Sequence, residues 1–340
     1  MTARHKALSH WLREVFQRNS FRLVPLSGDA SFRRYWRLHV DDATYVVMDA
    51  PPEQEDCAPF LSVGAKIAAI GLPTPTVRHA NLTEGFLVLD DLGDRLYLDE
   101  LSVPGAPDRL YRAAIRALVT MQRNVDSSDL PEYDAQLLRT ELALFPDWFL
   151  TQHLGYVLSN DQRRILDSAF DWLIEEILLQ PRVFVHRDYH SRNLMVLPGD
   201  DPGIIDFQDG VLGPVSYDLV SLLRDVYVAW PAEAIQCWRD EYCRLAVAAN
   251  VLTTDQAAAF PIWFDVMGVQ RHLKVAGIFA RLYHRDGKDR YLADLPLTID
   301  YLLSIASTLP QLTDLSAMLA ALDLPARLHQ PTHPAPGPRK

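Results

Sequence analysis

VFVHRDYHSRNLMVLPGDDPGIIDFQDG, residues 183–210, decides how the rest of the chain is read. Three short apolar runs in it, 183–185, 194–197 and 204–205, have the length and β-branched content of buried strands. Asp188, Asn193 and Asp206 stand at the ends of those runs. His186, Arg187 and Asp188 followed by Asn193 match the spacing HRDxxxxN, and Asp206 with Phe207 stands where the aspartate of an Asp-Phe-Gly motif would. Phosphoryl transfer asks for a carboxylate that orients the attacking hydroxyl and accepts its proton, and for oxygen ligands that hold magnesium on the nucleotide phosphates. These residue types in this order supply both. An aspartate taken alone reads as a turn cap. Three groups at joint spacing, each in matching strand context, do not.

HRDYHSRN with IIDFQDG resembles the aminoglycoside phosphotransferase branch of the kinase fold, over nearly the whole chain. GDASFRRYWRL, YVVMDAPP and GPVSYDL make it similar, within that branch, to the anomeric sugar kinases of cell-wall recycling, which use ATP to phosphorylate N-acetylmuramate and N-acetylglucosamine at the C1 hydroxyl. The resemblance implies an α+β, protein-kinase-like fold of two lobes. Residues 1–93 would form a small antiparallel-sheet lobe with the nucleotide loop and hinge, and 94–328 a large helical lobe with the catalytic loop and acceptor site. ATP and Mg2+ are the cofactors it implies, with Asp188 as the base and Asn193 and Asp206 as magnesium ligands. Gly28, Ser31, Phe32 and Arg33 would meet the nucleotide from the loop, and Leu89, Asp90 and Leu92 from the hinge. Asp218 matches a family position that braces the catalytic loop, a structural role.

Composition narrows the partners. With 33 basic against 44 acidic side chains the net charge is −11, which disfavours DNA and anionic membranes. ATP is not excluded, because local amides and magnesium offset the field. Cys57, Cys237 and Cys243 have no metal-ligand spacing and are odd in number, as expected of reduced cytosolic thiols. MTARHKALSHWLREVF at the start has no continuous apolar segment for a signal peptide or a span. A cytoplasmic monomer acting on a small molecule is the expectation.

In chain order, Leu8, Trp11, Leu12, Val15 and Phe16 recur at helical spacing, so a first amphipathic helix should lie on the small lobe. Strands are expected at 21–26, 32–40 and 44–50, with the nucleotide loop between the first two. The third strand departs from the kinase pattern. Met48 stands where the phosphate-pairing lysine belongs, and the helix expected at 58–70 holds no glutamate to pair with it. Losing both partners is coherent, since losing one strands a buried charge. Arg33, Arg34 or Arg37 of the second strand is expected to supply the missing cation, Arg33, Tyr35 and Arg37 sharing one face and Arg34 and Trp36 the other; solvent-facing arginines are the bland alternative.

Residues 72–75 read as a turn and 86–89 as a strand running into the hinge. Helices follow at 110–123, 135–154 and 161–179, and after the catalytic stretch at 232–249, 254–282 with a break at Pro261, and 296–309. QPTHPAPGPRK, 330–340, is proline-rich and expected to be disordered, the tail being placed at 329–340.

The acceptor, an amino sugar, is expected at His190, Asp209, Arg224, Tyr227, Trp230, Arg271 and Lys274. Arg271 and Lys274, three apart on a helix, could clamp a lactyl carboxylate, against a solvated helix face as the alternative. For Tyr227 and Trp230 plain packing competes. Zinc ligation by His186, His190 or His272 is disfavoured, because hard magnesium suits oxygen ligands. Two other functions stay open at this point: a kinase with an aminoglycoside or choline-like acceptor, and a nucleotide-binding pseudokinase, which Met48 would favour.

Overall fold

The computed structural model describes residues 3–26, 32–199 and 201–328; Gly28, Ser31 and the tail 329–340 lie outside them. Helix α1 (Ala3–Phe16) precedes β1 (Arg22–Leu26), β2 (Arg34–Val40) and β3 (Ala43–Asp49); then come α2 (Ala58–Ala69), β4 (Val77–Asn81) and β5 (Phe86–Asp90). The five strands pair antiparallel in the order β1-β2-β3-β5-β4. Alternation divides their side chains. Trp36, Leu38, Tyr45, Val47, Phe86 and Val88 face α1, where Leu8 and Leu12 are fully buried. Met48, Leu87 and Leu89 face the opposite way, toward α2 and the rest of the chain.

The body beyond β5 is helical: α3 (Tyr97–Glu100), α4 (Ala106–Asn124), α5 (Ala135–Leu144) and α6 (Asn160–Leu178) come before the 183–210 stretch. That stretch is built on β6 (Arg182–Val185) paired with β9 (Val211–Pro214), and β7 (Leu194–Val196) paired with β8 (Pro202–Ile204). Then follow α7 (Tyr217–Leu223), α8 (Ala232–Ala248), α9 (Thr254–Asp286), α10 (Leu295–Ala306), α11 (Thr313–Ala321) and α12 (Leu324–Leu328). The result is the two-lobe α+β architecture expected from the sequence.

Four local differences have physical reasons. The helix expected at 135–154 is α5 followed by a π-helical turn, Phe145–His153, where Pro146 supplies no N–H to the α-helical ladder. Helix α9 does not break at Pro261. It is nucleated by a capping box between Thr253 and Gln256, and the carbonyl that Pro261 leaves unpaired, that of half-buried Ala257, can turn to water. Strand β4, VRHAN, went unread because it is a mostly exposed edge strand with little apolar alternation. Gly213 and Pro214, read as punctuation, end β9, and Pro214 is its last residue, where a missing donor costs least.

Two close approaches set the geometry between elements. A Cβ on Gly277 of α9 would lie 2.4 Å from the Leu144 carbonyl carbon, so α9 and the end of α5 pack backbone to backbone. A Cβ on Gly64 of α2 would come within 2.9 Å of the Phe207 ring, which also packs on Phe60 with centroids 4.9 Å apart. Helix α2 thus rests directly on the residue after Asp206.

Candidate active site

The loop from His186 to Asn193 is held by two buried carboxylates on or beside α7. Asp218 accepts the backbone N–H groups of His186 and Arg187 at 2.7 and 3.0 Å. Asp225 accepts the backbone N–H and hydroxyl of Ser191 at 3.0 and 2.5 Å. His186 bridges the loop to the next strand: one ring nitrogen donates to the Ile205 carbonyl at 3.1 Å and the other accepts from the Asp188 N–H at 3.3 Å. Burial depresses its pKa to about 4, so the ring is neutral near pH 7. Asn193 gives its amide N–H groups to the Asp188 carbonyl at 3.0 Å and to Asp206 Oδ2 at 3.3 Å, which leaves its side-chain oxygen for another partner. Arg187 and Asp206 adopt positive φ, 76° and 62°, a strain that non-glycine residues tolerate only where the surroundings enforce it.

The two aspartates are tuned apart. Burial would raise the pKa of Asp188, but His190, Lys274, Arg187 and His186 hold it below the ordinary carboxylate value. Asp206 is pushed up to about 6 by burial and then by the charge of Asp188. Asp188 is therefore an ionised proton acceptor at neutral pH, and Asp206 a carboxylate that a cation would relieve.

Two cavities meet at this loop. One, of about 580 Å3, is lined by Tyr35, Leu89, Asp90, Leu92, Asn193 and Asp206 among others, and has the size of a nucleotide site. The other, of about 310 Å3, is lined by Asp188, Asp209, Glu141, Arg187, Arg271, Lys274 and Arg281, four cations against three carboxylates. Glu141 is the hub of its wall, only 5% exposed. Its Oε1 lies 2.6 Å from Arg187 Nη2 and 3.0 Å from Lys274 Nζ, and its Oε2 accepts from the Tyr133 hydroxyl and, at 3.3 Å, from Gln270. Burial alone would raise its pKa; Lys274 and Arg187 bring it below the ordinary value. Arg271 is 4% exposed, and its Nη1 has no hydrogen-bond partner among the described residues.

With this geometry the chain matches the phosphotransferase enzyme family over residues 22–255. It belongs to that family. It is 46% identical over 300 residues to an N-acetylmuramate/N-acetylglucosamine kinase of Pseudomonas aeruginosa, covering 88% of each chain. Identity to the Neisseria meningitidis protein of the same name is 42%, over 93% of this chain and 95% of that one. Among solved structures, a choline kinase from Streptococcus pneumoniae superposes with a TM-score of 0.63 at 11% identity, covering 89% of this chain and all of that one. A putative aminoglycoside phosphotransferase from Ralstonia eutropha gives 0.60 at 16%, covering 88% and 98%; these two share the fold. The chain is an ATP-dependent kinase acting on a sugar hydroxyl.

In this phosphotransferase Asp188, Asp209, Arg271 and Lys274 come together on the smaller cavity, and Leu89, Asp90, Leu92, Asn193 and Asp206 on the larger. The Asp90 carboxylate itself is paired with Arg78, so only its backbone is left to face a ligand. Phe32 is 62% exposed beside the loop. Four of the acceptor expectations, His190, Arg224, Tyr227 and Trp230, line neither cavity, His190 being buried. Arg224 is a half-buried link between the end of α7 and α9, 2.5 Å from Asp265 and over the Phe264 ring. Trp230 donates to the Tyr111 hydroxyl at 2.8 Å and packs edge-on against Tyr111 and Trp238. Tyr227 supports the loop from behind, under the Arg192 guanidinium at 3.6 Å and against buried His190. Lys274 reaches its cavity but is engaged by Glu141 and by the Tyr217 hydroxyl at 2.8 Å. Arg37 is likewise engaged, donating to Asp91 at 2.6 Å and to the Gly93 carbonyl at 2.9 Å, so it fastens the hinge. Glu141 and Asp225 were missed from sequence; only Asp225, seven residues after Asp218 on the same short segment, left a readable signal.

Proposed function

We propose that this enzyme transfers the γ-phosphoryl group of ATP to the anomeric C1 hydroxyl of N-acetylmuramate and N-acetylglucosamine, in the recycling of cell-wall sugars in the cytoplasm. The observation that carries the reading is the position of Asp188. It lines the cationic cavity, while Asn193, bonded to its carbonyl, lines the nucleotide-sized one. The acceptor hydroxyl would rest against the Asp188 carboxylate, which takes its proton as the oxygen–phosphorus bond forms and the bond to the β-phosphate oxygen breaks, releasing ADP. The hinge, 89–92, would hold adenine through its backbone.

Magnesium fits the residues present. Among the described residues no group of three or more His, Cys, Asp or Glu could hold a metal, so an ion here would rest on Asp206 and Asn193 and complete its shell with phosphate oxygens and water, as magnesium does. When bound there it supplies charge neutralisation of the phosphates.

For the acceptor, Arg271 is the group best suited to the lactyl carboxylate, being buried on the cavity wall with a donor to spare; Arg281, on the same wall, has a buried Nε without a partner among the described residues. Lys274 is committed to Glu141 and is not carried forward. An aminoglycoside or choline-like acceptor would add its own positive charge to a wall that already carries four basic groups against three carboxylates, which ranks that reading second. A kinase assay over a panel of sugars, aminoglycosides and choline, with phosphorus NMR of the product, tests the proposal. A sugar 1-phosphate from both amino sugars is expected; a phosphate on another hydroxyl, or turnover of only the cationic acceptors, would reject it.

A further inference from the structure

Kinase-fold enzymes hold the ATP phosphates with a lysine on the third strand paired to a helix glutamate. Here Met48 occupies that strand position, fully buried, and α2 carries no acidic residue. The neighbouring strand offers a substitute. Tyr35 lies directly opposite Met48 in the β2–β3 register, so the two share a face of the sheet, and Tyr35 lines the nucleotide cleft. Arg33, two residues before Tyr35, returns to that face. It stands one residue before β2 begins at Arg34, just ahead of the paired β2–β3 ladder.

What Arg33 meets there is a glutamate. Arg33 Nη2 lies 3.1 Å from Glu55 Oε2, the side chains being 10% and 15% exposed. Glu55 Oε1 accepts the backbone N–H of Phe32 at 3.2 Å, so one carboxylate fixes both the guanidinium and the backbone just after the loop. Glu55 comes from the segment between β3 and α2, directly before the helix that lacks its glutamate. Arg33 is close enough to Tyr35, which lines the cleft, for its charge to act on that hydroxyl. We infer that Arg33 and Glu55 together replace the missing lysine–glutamate pair: Arg33 contacts the ATP phosphates, and Glu55 is a positioning residue that aims it. A planar guanidinium suits phosphate oxygens better than an ammonium does.

The inference rests on ATP being the donor, and its test separates the two. Binding of ATP and of adenosine is measured by calorimetry for the wild type, Arg33→Ala, Arg33→Gln, Glu55→Gln and the Arg33→Ala/Glu55→Gln double variant, with melting temperatures recorded alongside. Arg33→Ala should weaken ATP about tenfold or more, which is about 1.4 kcal/mol or more, and leave adenosine unchanged. Glu55→Gln should weaken ATP about threefold to tenfold, and the double variant should match Arg33→Ala, because an unaimed position has nothing left to lose. Equal weakening of ATP and adenosine, or no weakening of either, overturns the phosphate role. Additive losses in the double variant overturn the role of Glu55. If Arg33→Ala does not fold, Arg33→Gln decides the same comparison. Failure of the donor reading would show separately, as a wild type that binds ATP no more tightly than adenosine.

Discussion

Replacing Glu141 by alanine should be among the most damaging single changes outside the catalytic loop. The carboxylate lies between Arg187 and Lys274, at 2.6 and 3.0 Å, and also takes the Tyr133 hydroxyl. Its removal leaves buried Lys274 and half-buried Arg187 facing each other, with Asp188 the nearby carboxylate that still acts on both. Breaking a buried pair by deleting one partner costs about 3–5 kcal/mol. For a chain of 340 residues that corresponds to a fall in Tm of about 4–7 °C. Glu141→Gln keeps the volume and one acceptor for Tyr133, so its loss should be about half as large. The pH dependence has a definite sign. The Glu141 pKa is lowered in the folded state, so its contribution is present above the unfolded value of about 4.3 and disappears as pH falls through the folded one. The gap between wild type and Glu141→Gln should therefore be widest near neutral pH and close on acidification. Urea denaturation of the three proteins at pH 7 and at pH 4 measures both effects. If Glu141→Ala at pH 7 stays within about 0.5 kcal/mol of wild type, the scale of an ordinary surface change, the hub assignment fails and Lys274 returns as a free acceptor ligand.

The other expectations are briefer. Asp188→Asn should cut kcat by about 10²–10⁴-fold with ATP affinity retained, read by turnover and calorimetry. Arg271→Met should raise KM for N-acetylmuramate about tenfold, the loss of a charge-assisted bond, and leave N-acetylglucosamine nearly unchanged; equal effects on both would remove the carboxylate role. Gly277→Ala should cost about 1–3 kcal/mol in thermal unfolding, because its Cβ would sit 2.5 Å from the Leu144 side chain and carbonyl oxygen. Asp218, whose pKa burial raises to about 7, binds its proton more tightly folded than unfolded, so it makes stability fall as pH rises from about 4 to about 7; Asp218→Asn should flatten that part of the stability profile and lower kcat through the unbraced loop.

How far the sequence could be read depended on how local the physics was. The loop from Asp188 to Asp206 was legible because its apolar flanks must be strands and the polar groups between them have few conformations left. The faces of β2 were legible for the same reason, since a period of two leaves no freedom: Trp36 does face α1 and Tyr35 the cleft. Glu141 was not legible. It is one glutamate in an amphipathic helix, and its partner Arg187 is 46 residues away; nothing within a helical turn distinguishes it from a solvated acid. Arg224 misled by the opposite error, because nearness in sequence to Asp206 was taken for nearness to the acceptor, whereas the end of α7 directs it toward Asp265.

The division of labour between the aspartates explains why both must stand on one braced loop system. Asp188 is kept ionised by His190 and by two cations of the smaller cavity, Lys274 and Arg187. Asp206 is made a poor anion by burial and by Asp188 itself. Two carboxylates of different proton affinity, as the proposed proton acceptor and cation ligand require, are thereby produced from the same residue type by environment alone. The link between them is mechanical as well as electrostatic, since Asn193 ties the Asp188 carbonyl to the Asp206 carboxylate and His186 ties the same loop to Ile205. Under the roles proposed for the two aspartates, a variant that loosens Asn193 should therefore disturb proton acceptance and cation affinity together, whereas Arg271→Met should touch neither.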